Sequence, residues 1–243
     1  MSNGPLPDQD PMLQYLYLLL DLGAVSFPLL RSFENRVAYA KQWYALFPGI
    51  LVGMLVFIPW DIWFTAEGYW GFNEAYLSGV SLFGLPLEEW LFFVCIPFAS
   101  VFIYEVMNYF VKKDLLGPVK NAIGVLLALF SLAMAILFWD RWYTVTTFSL
   151  LTFLLVLHVF VLRTKWLGRF FLAYAVVLVP FFLVNGILTG TGIENQVVWY
   201  NDAENLGLRL FTIPFEDAFY GMSLILINVT VMEAIRGRRN KKG

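Results

Sequence analysis

Seven apolar stretches constrain this chain more than any other feature of its sequence, because a membrane-spanning helix needs about 20 predominantly apolar residues. The stretches run from Pro11 to Leu30, Trp43 to Pro59, Pro86 to Val111, Val119 to Trp139, Tyr143 to Leu162, Trp166 to Leu188 and Pro214 to Ile235. Composition agrees, since 60% of the residues are hydrophobic and 14% are charged, whereas a soluble domain averages about 25% charged residues. We therefore predict an all-α integral membrane protein in which residues 1–243 form one membrane domain of seven transmembrane helices.

The basic residues predict how these helices cross the membrane, because Lys and Arg concentrate on the cytoplasmic side. With seven spans, 14 of the 16 basic residues fall in the connections and the tail on one side, while Arg141 and Arg209 fall on the other. This pattern predicts an outer N-terminus and a cytoplasmic C-terminus. The long connections Trp60 to Leu85 and Thr189 to Ile213 then lie outside, and the basic tail, residues 237–243, is expected to be unstructured and suited to anionic lipid headgroups.

An acid pair follows a proline at two predicted helix starts, in the motifs Pro86-Leu-Glu88-Glu89 and Pro214-Phe-Glu216-Asp217, which lie 128 residues apart. Carboxylates at a helix start can cap free N–H groups, but capping accounts for one acid per helix, and neighbouring residues point about 100° apart. Desolvation and like charge should keep some of these acids protonated. A protonated carboxyl beside an ionised one can perform acid/base chemistry, so all four acids are candidate catalytic residues.

A second similarity links the two outer connections. The stretch Trp70-Gly-Phe-Asn73 resembles Trp199-Tyr-Asn201, and each precedes its acid pair. We therefore predict two parallel three-helix repeats, residues 11–111 and 143–236, joined by a linking helix at residues 119–139. Parallel repeats of this kind usually place a binding site between them.

Aromatic side chains crowd both acid pairs, and their faces can stabilise a cation by about 0.5 to 2 kcal/mol each. Aromatic residues also belong at membrane interfaces for structural reasons. Asp21 lies near the middle of the first span, where an ionised side chain is costly, so it should be neutral, paired or functional. The candidate substrate-contacting residues are Asp21, Trp70, Asn73, Phe83, Pro86, Trp90, Phe92, Phe93, Trp199, Asn201, Pro214, Phe215, Phe219 and Tyr220.

Several chemistries have no support in the sequence. The last span contains no Lys for a retinal Schiff base, and the single Cys95 and single His158 do not make a transition-metal site. Gly190-Thr-Gly192 lacks the third Gly and the preceding strand of a dinucleotide site. Asn201-Asp202-Ala-Glu204 is a weak magnesium candidate without a second acid-rich motif. We therefore expect neither a metal nor a cofactor.

These motifs together resemble one known family, the membrane-integral lycopene cyclases. In some bacteria the two halves of these proteins are separate subunits, in others they are fused, and they also form the cyclase part of a fungal fusion with phytoene synthase. The resemblance covers nearly the whole chain and rests on four blocks: Trp60-Asp61-Ile-Trp63-Phe64-Thr65 with Gly68, Trp70-Gly-Phe-Asn73, Leu85-Pro86-Leu-Glu88-Glu89-Trp90-Leu-Phe92-Phe93, and Ile213-Pro214-Phe-Glu216-Asp217-Ala-Phe219-Tyr220. No block in the second half matches the one that begins at Trp60.

The resemblance implies that the chain converts the linear ends of lycopene to β-ionone rings, as in β-carotene, with no net redox change. It maps the acid/base residues of the family onto Glu88, Glu89, Glu216 and Asp217. One acid would protonate the terminal double bond, the neighbouring alkene would close the ring, and a carboxylate would remove a ring proton. The expected partners are a carotenoid substrate and the lipid bilayer of a bacterial cytoplasmic membrane, with no nucleic acid, and a homo-oligomer is left open.

Three other functions fit parts of the pattern. A cyclase of the same family could act on elongated C45 or C50 carotenoids, and no residue reports the length of the polyene. A non-catalytic carotenoid- or retinoid-binding membrane protein would bind pigment without changing it. A small-molecule transporter would use the parallel repeats, but its polar groups should line a path across the membrane. The sequence does not decide whether one or both substrate ends are cyclised, or which acids donate and which accept the proton.

Overall fold

A computed structural model describes residues 12–240, and seven long helices account for most of them. They are α1 (Leu16–Arg31), α2 (Trp43–Glu67), α3 (Leu87–Phe110), α4 (Lys120–Leu137), α5 (Trp142–Val156, continued by a π-helical turn at Leu157–Val161), α6 (Leu167–Leu188) and α7 (Asp217–Asn240). With the flanking turns included, all seven are long and apolar enough to cross a membrane. The predicted all-α membrane fold with seven spans is therefore confirmed. The predicted start at Pro11 and the last three residues of the basic tail lie outside the described residues.

Helix α2 corrects the sequence prediction for the second span. It continues eight residues past the predicted end at Pro59 and includes Pro48 and Pro59 in its interior. A transmembrane helix tolerates proline because its neighbours satisfy the freed backbone groups. The helix ends instead at Gly68, whose φ of 72° is the left-handed conformation of a helix C-cap. The first eight residues of the predicted connection from Trp60 to Leu85 are therefore helical.

The two ends of α7 also differ from the prediction. The helix begins at Asp217, so Pro214 and Glu216 precede it, just as Pro86 directly precedes α3. At its other end α7 continues through Asn240, so the first four residues of the predicted unstructured tail are helical.

Each acid pair follows the same small β-hairpin. Strands β2 (Ser81–Leu82) and β3 (Leu85–Pro86) form the first hairpin, and β5 (Arg209–Leu210) and β6 (Ile213–Pro214) form the second. Phe83 and Phe211 occupy equivalent turn positions with φ values of 53° and 59°, a left-handed conformation that costs a non-glycine residue about 1 to 2 kcal/mol. The two halves therefore share their loop structure in detail. We call this end of the bundle the hairpin end.

One short ladder joins the halves at the hairpin end. Strand β1 (Trp70–Phe72) pairs antiparallel with β4 (Val198–Tyr200), and Gly71 lies opposite Trp199. A Cβ at Gly71 would lie 2.4 Å from Cζ2 of Trp199, so only glycine allows this approach. The two stretches that resemble each other in sequence thus pair directly.

The helices of the two halves interlock. Helix α1 packs on α3 and α5 packs on α7, but α2 of the first half packs on α7 of the second, and α6 packs on α3. Gly49 and Gly53 bring α2 close to α7, since a Cβ at Gly49 would lie 2.7 Å from the carbonyl oxygen of Asn228. Small residues permit such close approach between membrane helices. This exchange places the starts of α3 and α7 side by side in the core.

Candidate active site

An apolar cavity of about 430 Å³ lies between α1, α3, α6 and α7. Its lining along α3 extends from Glu89 to Ile103, which is about 21 Å at 1.5 Å per residue. Aromatic and aliphatic side chains form most of the wall, and strands β1 and β4 bound it at the hairpin end. Two carboxyl groups, those of Glu89 and Asp217, line it at that same end. The cavity therefore brings together one acid from each of the two sequence motifs.

Glu89 lies in the first turn of α3 and is 8% exposed. The hydroxyl of Tyr17 on α1 donates a 2.5 Å hydrogen bond to its Oε2. The carboxyl of Glu89 also lies beside the carboxyl of Asp61 on α2, with which it interacts electrostatically, and Asp61 accepts a 2.6 Å hydrogen bond from Nε1 of Trp70. Two neighbouring buried carboxyl groups repel each other when both are ionised. The Asp61–Glu89 pair is therefore suited to hold one proton.

Asp217, the first residue of α7, has a different set of partners. Its Oδ1 accepts a 2.6 Å hydrogen bond from the hydroxyl of Tyr143. Its Oδ2 accepts hydrogen bonds of 3.0 Å from the hydroxyl of Tyr200 and from Nδ2 of Asn185. Burial and the neighbouring Asp217 carboxylate raise the pKa of Tyr200 well above its usual range, so this hydroxyl keeps its proton and donates. Three donors suit an ionised carboxylate, which accepts hydrogen bonds and donates none.

The other two acids, Glu88 and Glu216, bind the loops that precede them. Oε1 of Glu88 accepts a 2.7 Å hydrogen bond from the backbone N–H of Ser78. Oε1 of Glu216 accepts one of 2.8 Å from the N–H of Leu206 and one of 2.6 Å from the hydroxyl of Thr144. Both glutamates are fully buried, and neither is among the described residues that line the cavity. In each motif the first acid thus holds the loop, and the second lines the cavity.

Some of the predicted substrate-contacting residues line the cavity and the others lie outside its lining. Trp70, Phe92 and Tyr220 line the cavity. Asp21 is fully buried outside the cavity lining, and its two carboxyl oxygens receive no hydrogen bond from the described residues. Its carboxyl interacts electrostatically with Glu88.

The remaining predicted residues build the surroundings of the site, outside the lining of the cavity. Phe93 packs on Phe57. Phe130 contacts both Phe215 and Phe219. Pro86 and Pro214 are buried in their hairpins. Nε1 of Trp90 donates to the carbonyl of Leu82, Phe83 is exposed at a hairpin turn, and Trp199 covers Gly71. Asn73 and Asn201 form the same turn, each accepting a 3.1 Å hydrogen bond from the N–H two residues later.

Five polar side chains that surround the two cavity acids have no role predicted from the sequence. They are Tyr17, Asp61, Tyr143, Asn185 and Tyr200. A signal for two of them exists, because Tyr17 and Tyr143 lie at equivalent places in the two repeats. Asp61 and Asn185 also occupy equivalent places, each on the second helix of its half beside the second acid of the motif. Their side chains differ, and the second half of the sequence has no match to the block that begins at Trp60.

Comparison with known proteins agrees with this architecture. The family model described as lycopene cyclase matches residues 14–107 and 140–235. These two regions contain both acid motifs and leave the whole of α4, which joins the halves, unmatched. Neither the curated proteins nor the solved structures give a match to this chain. Because the family model covers most of the chain in two separate regions, this protein belongs to the lycopene cyclase family.

Proposed function

We propose that this protein cyclises the linear ends of lycopene to β-ionone rings by acid/base chemistry that needs no cofactor. The observation that carries the proposal is the meeting of Glu89 and Asp217 at one end of an apolar cavity. A hydrocarbon has no polar group to bind, so its site must be apolar except where chemistry occurs. Two carboxyl groups in unlike settings supply an acid and a base at that point.

The reaction balances without any further reactant. A carboxylic acid transfers its proton to the terminal double bond, which leaves a tertiary cation on the substrate. The π electrons of the neighbouring alkene form the new ring bond and move the positive charge onto the ring. A carboxylate then removes a ring proton, and that C–H electron pair becomes the ring double bond. Product and substrate are isomers, and the proton returns from the base to the acid before the next turnover.

The walls of the cavity fit a cationic intermediate. Trp70, Phe92 and Tyr220 contribute aromatic faces near the two acids, and each face can stabilise a cation by about 0.5 to 2 kcal/mol. The apolar lining keeps water from capturing the cation. The cavity is about 21 Å long along α3, which is shorter than a polyene that spans a bilayer of about 30 Å. We infer that it holds one end of the substrate while the other end extends into lipid.

The acids lie on the outer side in the membrane orientation that we propose. The distribution of 14 of the 16 basic residues supports an outer N-terminus and a cytoplasmic C-terminus. The hairpin end then faces outward, and the start of α2 and the end of α3 lie near the cytoplasm. Repeat boundaries at residues 11–111 and 143–236 fit the equivalent hairpins of the two halves.

Pigment analysis of lycopene-accumulating bacteria that express the chain tests the proposal. Wild type should convert lycopene to cyclic carotene, while Glu89→Gln and Asp217→Asn should abolish conversion because each removes one proton-transfer group with little change of shape. Glu74→Gln is the matched control, since Glu74 is an exposed acid of an outer loop and is not among the described residues that line the cavity. Full activity in both site variants, or unchanged lycopene with well-expressed wild type, would contradict the proposal.

A further inference from the structure

The two cavity acids have partners of different chemistry. Glu89 interacts electrostatically with the neighbouring carboxyl of Asp61, whereas Asp217 accepts a hydrogen bond from the amide of Asn185. Asp61 lies on α2 and Asn185 on α6, the second helix of each half. An amide can donate a hydrogen bond, but unlike a carboxyl group it does not change its protonation state at ordinary pH. The halves therefore match in geometry and differ in how many protons they can hold.

Within the Asp61–Glu89 pair, the hydrogen bonds favour the proton on Glu89. Oδ1 of Asp61 accepts two hydrogen bonds, from Nε1 of Trp70 at 2.6 Å and from the hydroxyl of Thr65 at 3.4 Å, whereas Glu89 accepts one, from the hydroxyl of Tyr17 at 2.5 Å. Donors stabilise the ionised form of a carboxyl group, so the larger set of donors favours the negative charge on Asp61. Asp61 is 1% exposed and lies outside the cavity lining, while Glu89 lines the cavity. The proton thus resides on the member of the pair that a substrate can reach.

The surroundings of the pair oppose the loss of that proton. The titratable side chains that interact with Asp61 and Glu89 from the adjoining elements are Tyr17 and Asp21 of α1, Tyr220 of α7 and Tyr200 of β4. Glu88 of α3 is the sequence neighbour of Glu89 and interacts with Asp21. Asp21 and Glu88 are carboxylic acids and none of these neighbours is basic, so a second negative charge on the pair would find no cation to balance it.

The setting of Asp217 favours the opposite protonation state. Two tyrosine hydroxyls and the Asn185 amide donate to its oxygens. The adjacent Glu216 opposes a charge on Asp217, and Arg209 of the outer hairpin adds a favourable electrostatic interaction with it. Asp217 is thus arranged as a base that is ready to accept a proton.

We propose that Glu89 donates the proton, that Asp217 accepts it, and that Asp61 is the positioning residue that keeps Glu89 protonated. In the first step the Glu89 O–H bond breaks and a C–H bond forms at the terminal alkene. In the last step a ring C–H bond breaks, its electrons form the ring double bond, and Asp217 takes the proton. This assignment rests on the proposed function for its chemistry, but the location of the proton is a property of the protein alone.

Infrared difference spectra between purified wild type and each variant at neutral pH test where the proton lies. They detect the C=O stretch of protonated carboxyl groups. One such band should be lost in both Asp61→Asn and Glu89→Gln. The band should persist in Asp217→Asn and in Glu74→Gln, which changes an exposed acid. Thermal unfolding in detergent checks that each variant is folded. Survival of the band in folded Asp61→Asn, or its loss in Asp217→Asn, would overturn the assignment.

The pH dependence of cyclisation provides a second test that a purely structural role of Asp61 would not satisfy. Without the carboxyl partner, Glu89 should lose its proton at lower pH, so the alkaline limb of the activity profile of Asp61→Asn should move down by about one pH unit or more. A variant that is merely misfolded would lose activity equally at all pH values. An unmoved limb in an active Asp61→Asn would contradict the role of Asp61. If wild type converts no linear carotene, the proposed function fails, and the infrared band still decides where the proton is.

Discussion

At the scale of single residues, the first acid of each motif binds the preceding loop and the second lines the cavity. The sequence predicts that the pair is divided, since neighbouring residues lie about 100° apart on a helix. It does not predict which acid reaches the cavity. That depends on the backbone N–H groups of Ser78 and Leu206, ten residues upstream, which bind Glu88 and Glu216 across the intervening hairpins.

The division of tasks predicts unequal effects of removing charge. Glu88→Gln keeps an oxygen that can accept from Ser78, so it should retain most of its cyclase activity and lose about 1 to 2 kcal/mol of stability. Glu89→Gln should abolish activity with little loss of stability. Pigment analysis and thermal unfolding of the two purified variants compare them. Loss of activity in Glu88→Gln with unchanged stability would show that Glu88 takes part in the chemistry.

Tyr200 gives a prediction on the acid side of the pH profile. Its hydroxyl stays protonated because burial and Asp217 raise its pKa, and Tyr200→Phe removes one of the donors to Asp217. The Asp217 carboxylate should then hold a proton to higher pH, so the acid limb of the activity profile should move up. Initial rates measured from acid to neutral pH test this. A limb that stays in place would mean that the remaining donors, Tyr143 and Asn185, suffice.

At the scale of elements, the sequence predicted the number of helices but not all of their limits. The apolar runs predict the limits of α3, α5 and α6 closely, because charged or turn residues follow these runs. Helix α2 was predicted too short because Pro59 resembles a helix end, whereas the packing of α2 on α7 carries the helix on to Glu67. Contacts between distant parts of the chain are not legible in one sequence. For the same reason the sequence did not reveal that Asp61 reaches Glu89.

The close contact of α2 with α7 is a test of this packing. Gly49→Leu adds a side chain where the backbone of Asn228 already lies within contact distance, and overpacking of this kind typically costs about 1 to 3 kcal/mol. Gly237→Ala is the control, because a Cβ there meets no atom within 4 Å. Thermal unfolding in detergent should show a lower midpoint than wild type for Gly49→Leu and an unchanged midpoint for Gly237→Ala. Equal midpoints would contradict the packing of these two helices.

At the scale of the whole molecule, the α2–α7 side of the bundle is packed with aromatic side chains, unlike the side that holds the cavity. Phe57 and Trp60 of α2 pack against Tyr220, with ring centroids 4.8 and 5.2 Å away. The repeat in the sequence predicts two similar halves and a site between them. It does not predict that aromatic rings fill one side while the other remains hollow, because that depends on the volumes of side chains from three or four different helices.

The interlocking of the halves predicts that the covalent link between them is dispensable. A chain divided between Lys112 and Lys113, two exposed residues, should regain cyclase activity when both fragments are produced in the same cell. The contacts of α2 with α7, of α6 with α3 and of β1 with β4 should hold the fragments together. Either fragment alone should be inactive, because the cavity takes its two acids from different halves. Pigment analysis of cells with one or both fragments measures this, and activity of a single fragment would contradict the shared site.

The ladder between β1 and β4 has a further consequence. A strand that pairs antiparallel with its own counterpart is the arrangement found across the two-fold axis of a homodimer, so two identical halves could form the same ladder. Exact symmetry would, however, give the two cavity acids the same partner. Both acids would then favour the same protonation state, and neither would be set apart as donor or acceptor. Joining the halves in one chain lets Asp61 and Asn185 differ while the shared scaffold stays the same. A symmetric pair of acids can in this way become a directional one, with a proton entering the substrate from one half and leaving to the other.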